Sequence, residues 1–185
     1  LKVGGFMSEG LYAGVCVYRP GQGNEEGKVL CVKAPNYPEF KMAGGMSIGA
    51  ETPEETARRE GLEELRTQFA SLTLVFVEET PGRGGGPPHK RYFYLAEGVK
   101  GALEIGATWQ VEEKDPSGRI LEKLTAQWVP IREFADKLFF KQRPAFGAIL
   151  SSLASRSMTF CQEYQDLVER FPEPENLGLV EANVH

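Results

Sequence analysis

The stretch from Gly44 to Arg66, GGMSIGAETPEETARREGLEELR, constrains the chain more than any other. Inside it Thr52-Pro53-Glu54-Glu55 is a helix start. Thr52 is suited to cap, Pro53 to occupy the first helical position, and Glu55 to return a hydrogen bond to the cap's own backbone. The helix is expected to run from Pro53 to Phe69, with Ala57, Leu62, Leu65 and Phe69 on its apolar face. At about 100° per residue, Glu60, Glu63 and Glu64 fall within a narrow arc of that helix. Like charges at this spacing cost roughly 0.2–0.5 kcal/mol per pair when solvated. The arc is therefore either a solvated acidic face, eased by Arg58, Arg59 and Arg66, or a place that holds a cation. In front of it Gly44 and Gly45 allow a close approach of backbone, and a carbonyl there can turn toward the same cation.

Strand-like runs flank the helix. Tyr12–Arg19 (YAGVCVYR) and Gly27–Ala34 (GKVLCVKA) are rich in valine and separated by the turn material PGQGNEEG, so they read as consecutive antiparallel strands. Phe40 and Met42 suggest a short strand entering the paired glycines. Leu72–Thr80 and Lys90–Val99 are β-rich, and the glycine- and proline-rich loop PGRGGGPPH between them cannot be a regular element. A polar stretch, TWQVEEKDPSGRILEKLTAQ, leads to a last strand at Trp128-Val129. Helical segments at Ile131–Phe139, Pro144–Ser155 and Met158–Phe171 follow. This order implies an α+β domain whose helices cover a sheet. The 185 residues suit one domain, expected over residues 12–171. Residues 1–11 are expected to be a flexible N-terminus or a remnant foreign to the domain, and 172–185 a C-terminal tail.

A formal net charge of −5 argues against general nucleic-acid or membrane-surface binding, which needs a basic patch. No run of ~18 apolar residues offers a membrane span, and no charged-then-apolar leader is visible, so the expected location is the cytoplasm. Cys16, Cys31 and Cys161 form no CxxC pair and read as buried thiols in a reducing compartment, which argues against a cysteine-ligated zinc site.

Gly45, five residues, Glu51, seven residues, then Arg59-Glu60-x-x-Glu63-Glu64 resembles the Nudix box, G-x5-E-x7-R-E-U-x-E-E-x-G-U, with U a bulky aliphatic. The resemblance implies a Nudix-like α/β/α sandwich, a mixed sheet with the box helix on one side and C-terminal helices packing on the domain. It implies hydrolysis of a nucleoside diphosphate linked to another group, dependent on Mg2+ or Mn2+. Glu60, Glu63 and Glu64, with the Gly44 carbonyl, would then ligate the metal, Arg59 would orient the carboxylates, and Glu51 and Gly45 would hold the loop in place. Two positions depart from the pattern. Gly61 stands where an aliphatic residue is expected, and Arg66 where the box has its late glycine, so the helix either continues through Arg66 or is capped differently.

Outside the box, one later glutamate is a candidate to deprotonate the attacking water. Glu112, Glu113 and Glu122 all precede Trp128, and Glu122 is the preferred one. His89, Lys90 and Arg91 close the glycine-rich loop and are candidates to meet the substrate's phosphates. The expected partner is a small-molecule nucleotide of ADP-ribose, nucleotide-sugar or dinucleotide type. The alternatives are a house-cleaning nucleoside triphosphate pyrophosphohydrolase and a non-catalytic nucleotide sensor. The tail after Pro172 is a candidate exchanged arm of a homodimer.

Overall fold

The computed structural model describes residues 10–81, 88–114 and 119–174. Alternation along the strands sets the layers. In β1 (Leu11–Arg19), Val15 and Val17 point to one face of the sheet and Cys16 to the other. In β2 (Lys28–Lys33), Leu30 and Val32 follow the first face and Val29 and Cys31 the second. Such period-two alternation, apolar on both faces, requires cover on both sides. Helix α1 (Pro53–Leu65) supplies one cover, with Ala57 and Leu65 fully buried. Helices α2 (Ile131–Lys137) and α3 (Arg143–Arg156) supply the other through Phe134, Phe146, Ile149 and Leu150. The expected α/β/α sandwich is what the chain forms.

The remaining strands are β3 (Phe40–Lys41), β4 (Ala43–Met46), β5 (Gln68–Thr80), β6 (His89–Lys100), β7 (Thr108–Lys114) and β8 (Ile120–Pro130). The sheet runs β5-β6-β1-β2-β8-β7, with β3 added beside β2 and β4 beside β1. It is mixed, because β1 and β6 are parallel while the other pairs are antiparallel. β1 serves two neighbourhoods. Its first half lies between β4 and β6, and its last three residues pair with β2. The chain crosses from β2 to β1 between Lys41 and Ala43, which delivers Gly44 and Gly45 opposite Gly14 and Ala13 and beneath α1.

Several sequence expectations need correction. The helix ends at Leu65, and Phe69 belongs to β5, from which it packs back against the same helix. Leu62 is half-exposed, so it is no part of the buried face. The polar stretch before Trp128 contributes two paired antiparallel strands, β7 and β8, across which Lys123 and Glu112 lie 3.8 Å apart. The last helix is two, α4 (Met158–Glu163) and α5 (Gln165–Arg170), broken where the Tyr164 hydroxyl accepts the Gly27 amide at 2.8 Å. Cys161 is exposed, whereas Cys16 and Cys31 are buried, with both thiol pKa values raised by burial, that of Cys16 to about 12. Among the described residues no helix is long and apolar enough to cross a membrane. The calls on residues 1–9 and 175–185 lie outside those described.

Candidate active site

The capping box fixes where α1 begins. Glu55 N–H donates to Thr52 Oγ1 at 3.2 Å, and Thr52 N–H donates to Glu55 Oε2 at 2.8 Å. Counting from that start, Glu60 and Glu64 fall one turn apart on the face that meets the paired glycines, and they are only 9% and 7% exposed. Glu63 points outward, its side chain 55% exposed. Glu64 Oε2 accepts the Gly44 amide at 2.9 Å. A Cβ on Gly45 would lie 2.2 Å from Glu60 Oε1, so only glycine lets this carboxylate reach the strand.

Arg59 is the positive group among these acids. Its Nη1 donates to Glu60 Oε1 at 2.7 Å and to Glu63 Oε2 at 3.0 Å, and its Nε to Glu51 Oε1 at 2.9 Å. Its Nη2 reaches the Met46 carbonyl at 2.8 Å. Burial opposes its charge, but the bond to Glu51 and the field of Glu60 outweigh that and raise its pKa. Glu51, in turn, is held below the usual carboxylate range by its bond from Arg59, helped by the Ile48 amide at 2.9 Å. Thr56 Oγ1 also donates to it at 3.2 Å. Arg59 and Glu51 thus tie the loop Met46–Glu51 to the helix.

Glu64, Gly44 and Gly45 border a cavity of about 270 Å3, and Glu122 lies on the same wall-to-wall space. β8 brings Glu122 there from nearly sixty residues away in the chain. Of the basic trio, only Arg91 lines this cavity. It is engaged by Glu78 Oε2 at 2.8 Å and by the Lys141 carbonyl at 3.1 Å. Lys90 pairs instead with Glu79 at 4.0 Å, and His89 is exposed at the start of β6, so neither joins the cavity. Among the lining residues that sequence reasoning missed are Tyr12, Lys41, Phe139 and Gln142. Nothing local marks Tyr12 or Gln142, because both are brought in by strand pairing and helix packing. The Tyr12 hydroxyl is pushed far above its ordinary pKa, first by burial and then by the charge of Glu64. A larger cavity, about 970 Å3, opens where β1 and β6 part after the Cys16–Leu95 pair, between Val17 and Val99, and it contains none of the clustered acids.

Among the described residues no three His, Cys, Asp or Glu side chains converge on one point. The reason is visible: Arg59 draws Glu60 and Glu63 together, while Glu64 turns onto the Gly44 amide. The donor chemistry still fits a hard divalent cation, since every candidate ligand is an oxygen and the Gly45 cradle leaves Glu60 room. The two departures from the box do not disturb this. A Cβ on Gly61 would meet Phe69 Cε2 at 2.3 Å, so the phenyl ring from β5 fills the space an aliphatic residue would take. Arg66 adopts the left-handed conformation, φ 54° and ψ 31°, and its amide reaches the carbonyls of Gly61 and Leu62. Its guanidinium lies over the Trp109 ring. The helix is therefore capped at Arg66 by a left-handed residue that is not glycine.

A family model described as NUDIX domain matches residues 10–148. Among solved structures, the chain is similar to the NUDIX domain of Shewanella oneidensis NrtR complexed with ADP ribose. The two are 15% identical with a TM-score of 0.53, over 80% of this chain and 90% of that one. It is likewise similar to the E. coli ORF135 protein, at 16% identity and a TM-score of 0.54, over 80% and 93%. At these identities the likeness is one of fold. Curated proteins gave no match.

Proposed function

The chain belongs to the Nudix family, hydrolases of phosphoric anhydride bonds, and on that premise we propose that it is a divalent-metal-dependent pyrophosphohydrolase. The bond it cleaves is the diphosphate linkage of a nucleoside diphosphate joined to a second group. The observation that carries this reading is the juxtaposition of Glu60 and Glu64 with the paired glycines, where Glu64 and the glycines border a cavity that Glu122 and Arg91 also line.

A pyrophosphate's negative charge repels the attacking water, and a bound Mg2+ or Mn2+ neutralises that charge and polarises the phosphoryl oxygens. Glu60, Glu63 and Glu64, with the Gly44 carbonyl, are the groups to hold it. Glu122, which lines the same cavity, would take the proton from the water. Arg91 presents a guanidinium, fixed by Glu78, to a phosphate oxygen. Arg59 acts on the carboxylates and does not touch the substrate; its exchange of partners frees Glu60 and Glu63 to ligate.

ADP-ribose heads the substrate panel, because a protein of the same fold is described in complex with it. Nucleotide sugars, dinucleoside polyphosphates and nucleoside triphosphates complete it, each assayed with Mg2+, Mn2+ or EDTA. Metal-dependent turnover that Glu64→Gln or Glu63→Gln reduces by ~100-fold or more supports the reading. A folded protein that binds a nucleotide and hydrolyses nothing would make it a sensor instead.

A further inference from the structure

The crossing from β3 to β4 poses a problem of its own. Met42 sits between two ladders, and neither register gives it a partner. It is 1% exposed, so its backbone N–H and C=O have no access to water. One side chain satisfies both. Gln142 Oε1 accepts the Met42 amide at 2.8 Å, and Gln142 Nε2 donates to the Met42 carbonyl at 3.3 Å. The same Nε2 donates to the Tyr12 hydroxyl at 3.4 Å. Because an amide N–H only donates, the orientation of the Gln142 amide is fixed by Met42. Gln142 is 2% exposed and ends the 3-10 turn Phe140–Gln142 that leads into α3. Just before it, Phe139 N–H donates to the Phe40 carbonyl at 2.9 Å, so the linker from α2 runs alongside β3.

Two residues beyond Met42, Gly44 gives its amide to Glu64. The Tyr12 hydroxyl closes the other side, 2.7 Å from where a Gly44 Cβ would be. Gln142 therefore grips the strand just upstream of the glycine pair and the phenol beside it. Its own polar atoms are all committed to protein, and its reach toward substrate is spent on Met42 and Tyr12.

We infer that Gln142 is a positioning residue for the metal site, setting the height of the Gly44–Gly45 backbone against Glu60 and Glu64 through Met42. This rests on the metal-dependent reading above. Without the grip, the crossing relaxes, and the Gly44 carbonyl and Glu64 lose their mutual placement, while Arg91 and the rest of the phosphate-facing wall stay where β6 holds them.

The test is direct Mn2+ binding by electron paramagnetic resonance of the free ion, alongside steady-state kinetics. Gln142→Met keeps the length without the polar groups. Gln142→Asn keeps the amide but is one methylene too short to span both Met42 atoms. Folding is checked by circular dichroism and thermal melting. The expected result is a rise of at least about fivefold in Mn2+ Kd for Gln142→Met, with a smaller rise for Gln142→Asn. The metal concentration for half-maximal activity should rise in parallel and kcat fall, while KM for the nucleotide at saturating metal stays within about threefold. A folded variant with unchanged Mn2+ affinity overturns the inference, as does failure of both variants to fold, which would make Gln142 a matter of stability alone. Wild-type protein that binds no Mn2+ sinks the metal-dependent reading itself. Wild-type protein that binds Mn2+ without hydrolysing the panel leaves the binding comparison decisive.

Discussion

Gly61→Leu restores the family's aliphatic residue, and the structure says it should harm this chain. The added Cβ would begin 2.3 Å from Phe69 Cε2 and 2.4 Å from Cζ, well inside van der Waals contact. Phe69 is 7% exposed and packed in the core beside Leu65 and Leu124, so its ring has no vacant place to move. Overpacking of this kind costs about 1–3 kcal/mol. Replacing a mid-helix glycine returns up to about 1 kcal/mol of helix propensity. With the full propensity gain, the net is a loss of up to about 2 kcal/mol, or a fall in Tm of up to roughly 8 °C for a domain of this size. Phe69→Ala alone empties the ring's volume and should cost about 3–5 kcal/mol. The double variant is the discriminating one. If the leucine and the phenyl ring compete for one space, Gly61→Leu/Phe69→Ala should be more stable than Phe69→Ala, with a coupling of about 2 kcal/mol or more. Urea unfolding of the four proteins at fixed pH measures it. Gly61→Leu that stabilises the protein, or effects that simply add, would refute the reasoning that Phe69 substitutes for the missing side chain.

Two further outcomes can be checked independently. Gly45→Ala places a methyl 2.2 Å from Glu60 Oε1 and so displaces that carboxylate; Mn2+ affinity and turnover should fall at least about tenfold while the thermal melt shifts little, because the position is only partly buried. Glu51 has a folded pKa below its ordinary 4.5, chiefly through Arg59, so its contribution to stability is present above that value and is lost as pH falls through the folded pKa. Glu51→Gln should therefore lower the urea midpoint at about pH 7 and flatten its decline toward about pH 3; an acid limb as steep as wild type would show that the Arg59 bond adds nothing to folding.

What the sequence made legible was what local chemistry decides. The capping box, the proline at the first helical position and the spacing of Glu60 and Glu64 act within a few residues, and all three appear in α1 as expected. The valine-rich pair Tyr12–Arg19 and Gly27–Ala34 was equally plain, since both faces of those strands are buried. The pair β7–β8 was missed because it lies at the sheet edge, where Glu112, Lys123 and Gln110 face solvent and a polar string can still be a strand. The helix end was misplaced because Arg66 takes a left-handed backbone that no side-chain pattern announces; its support is the ring of Trp109, far along the chain. Phe69 was placed on the helix's own apolar face, whereas it packs against that helix from β5. Glu122 could be chosen only as one of three acids, and Gln142 not at all, since its role exists only once α3 has docked.

The grip of Gln142 on Met42 joins residues 100 apart in sequence. During synthesis, about 5–20 residues emerge each second, so the glycine pair and all of α1 exist for several seconds before their clasp does. β2 waits similarly for β8, whose Trp128 lies opposite Leu30. Such long-range pairings are slow to form and leave the intervening edges open meanwhile. The carboxylate helix is thus finished early and its strand is anchored late. A chain truncated or stalled before Gln142 would carry the whole signature of the family and still lack the clasp that seats its glycines.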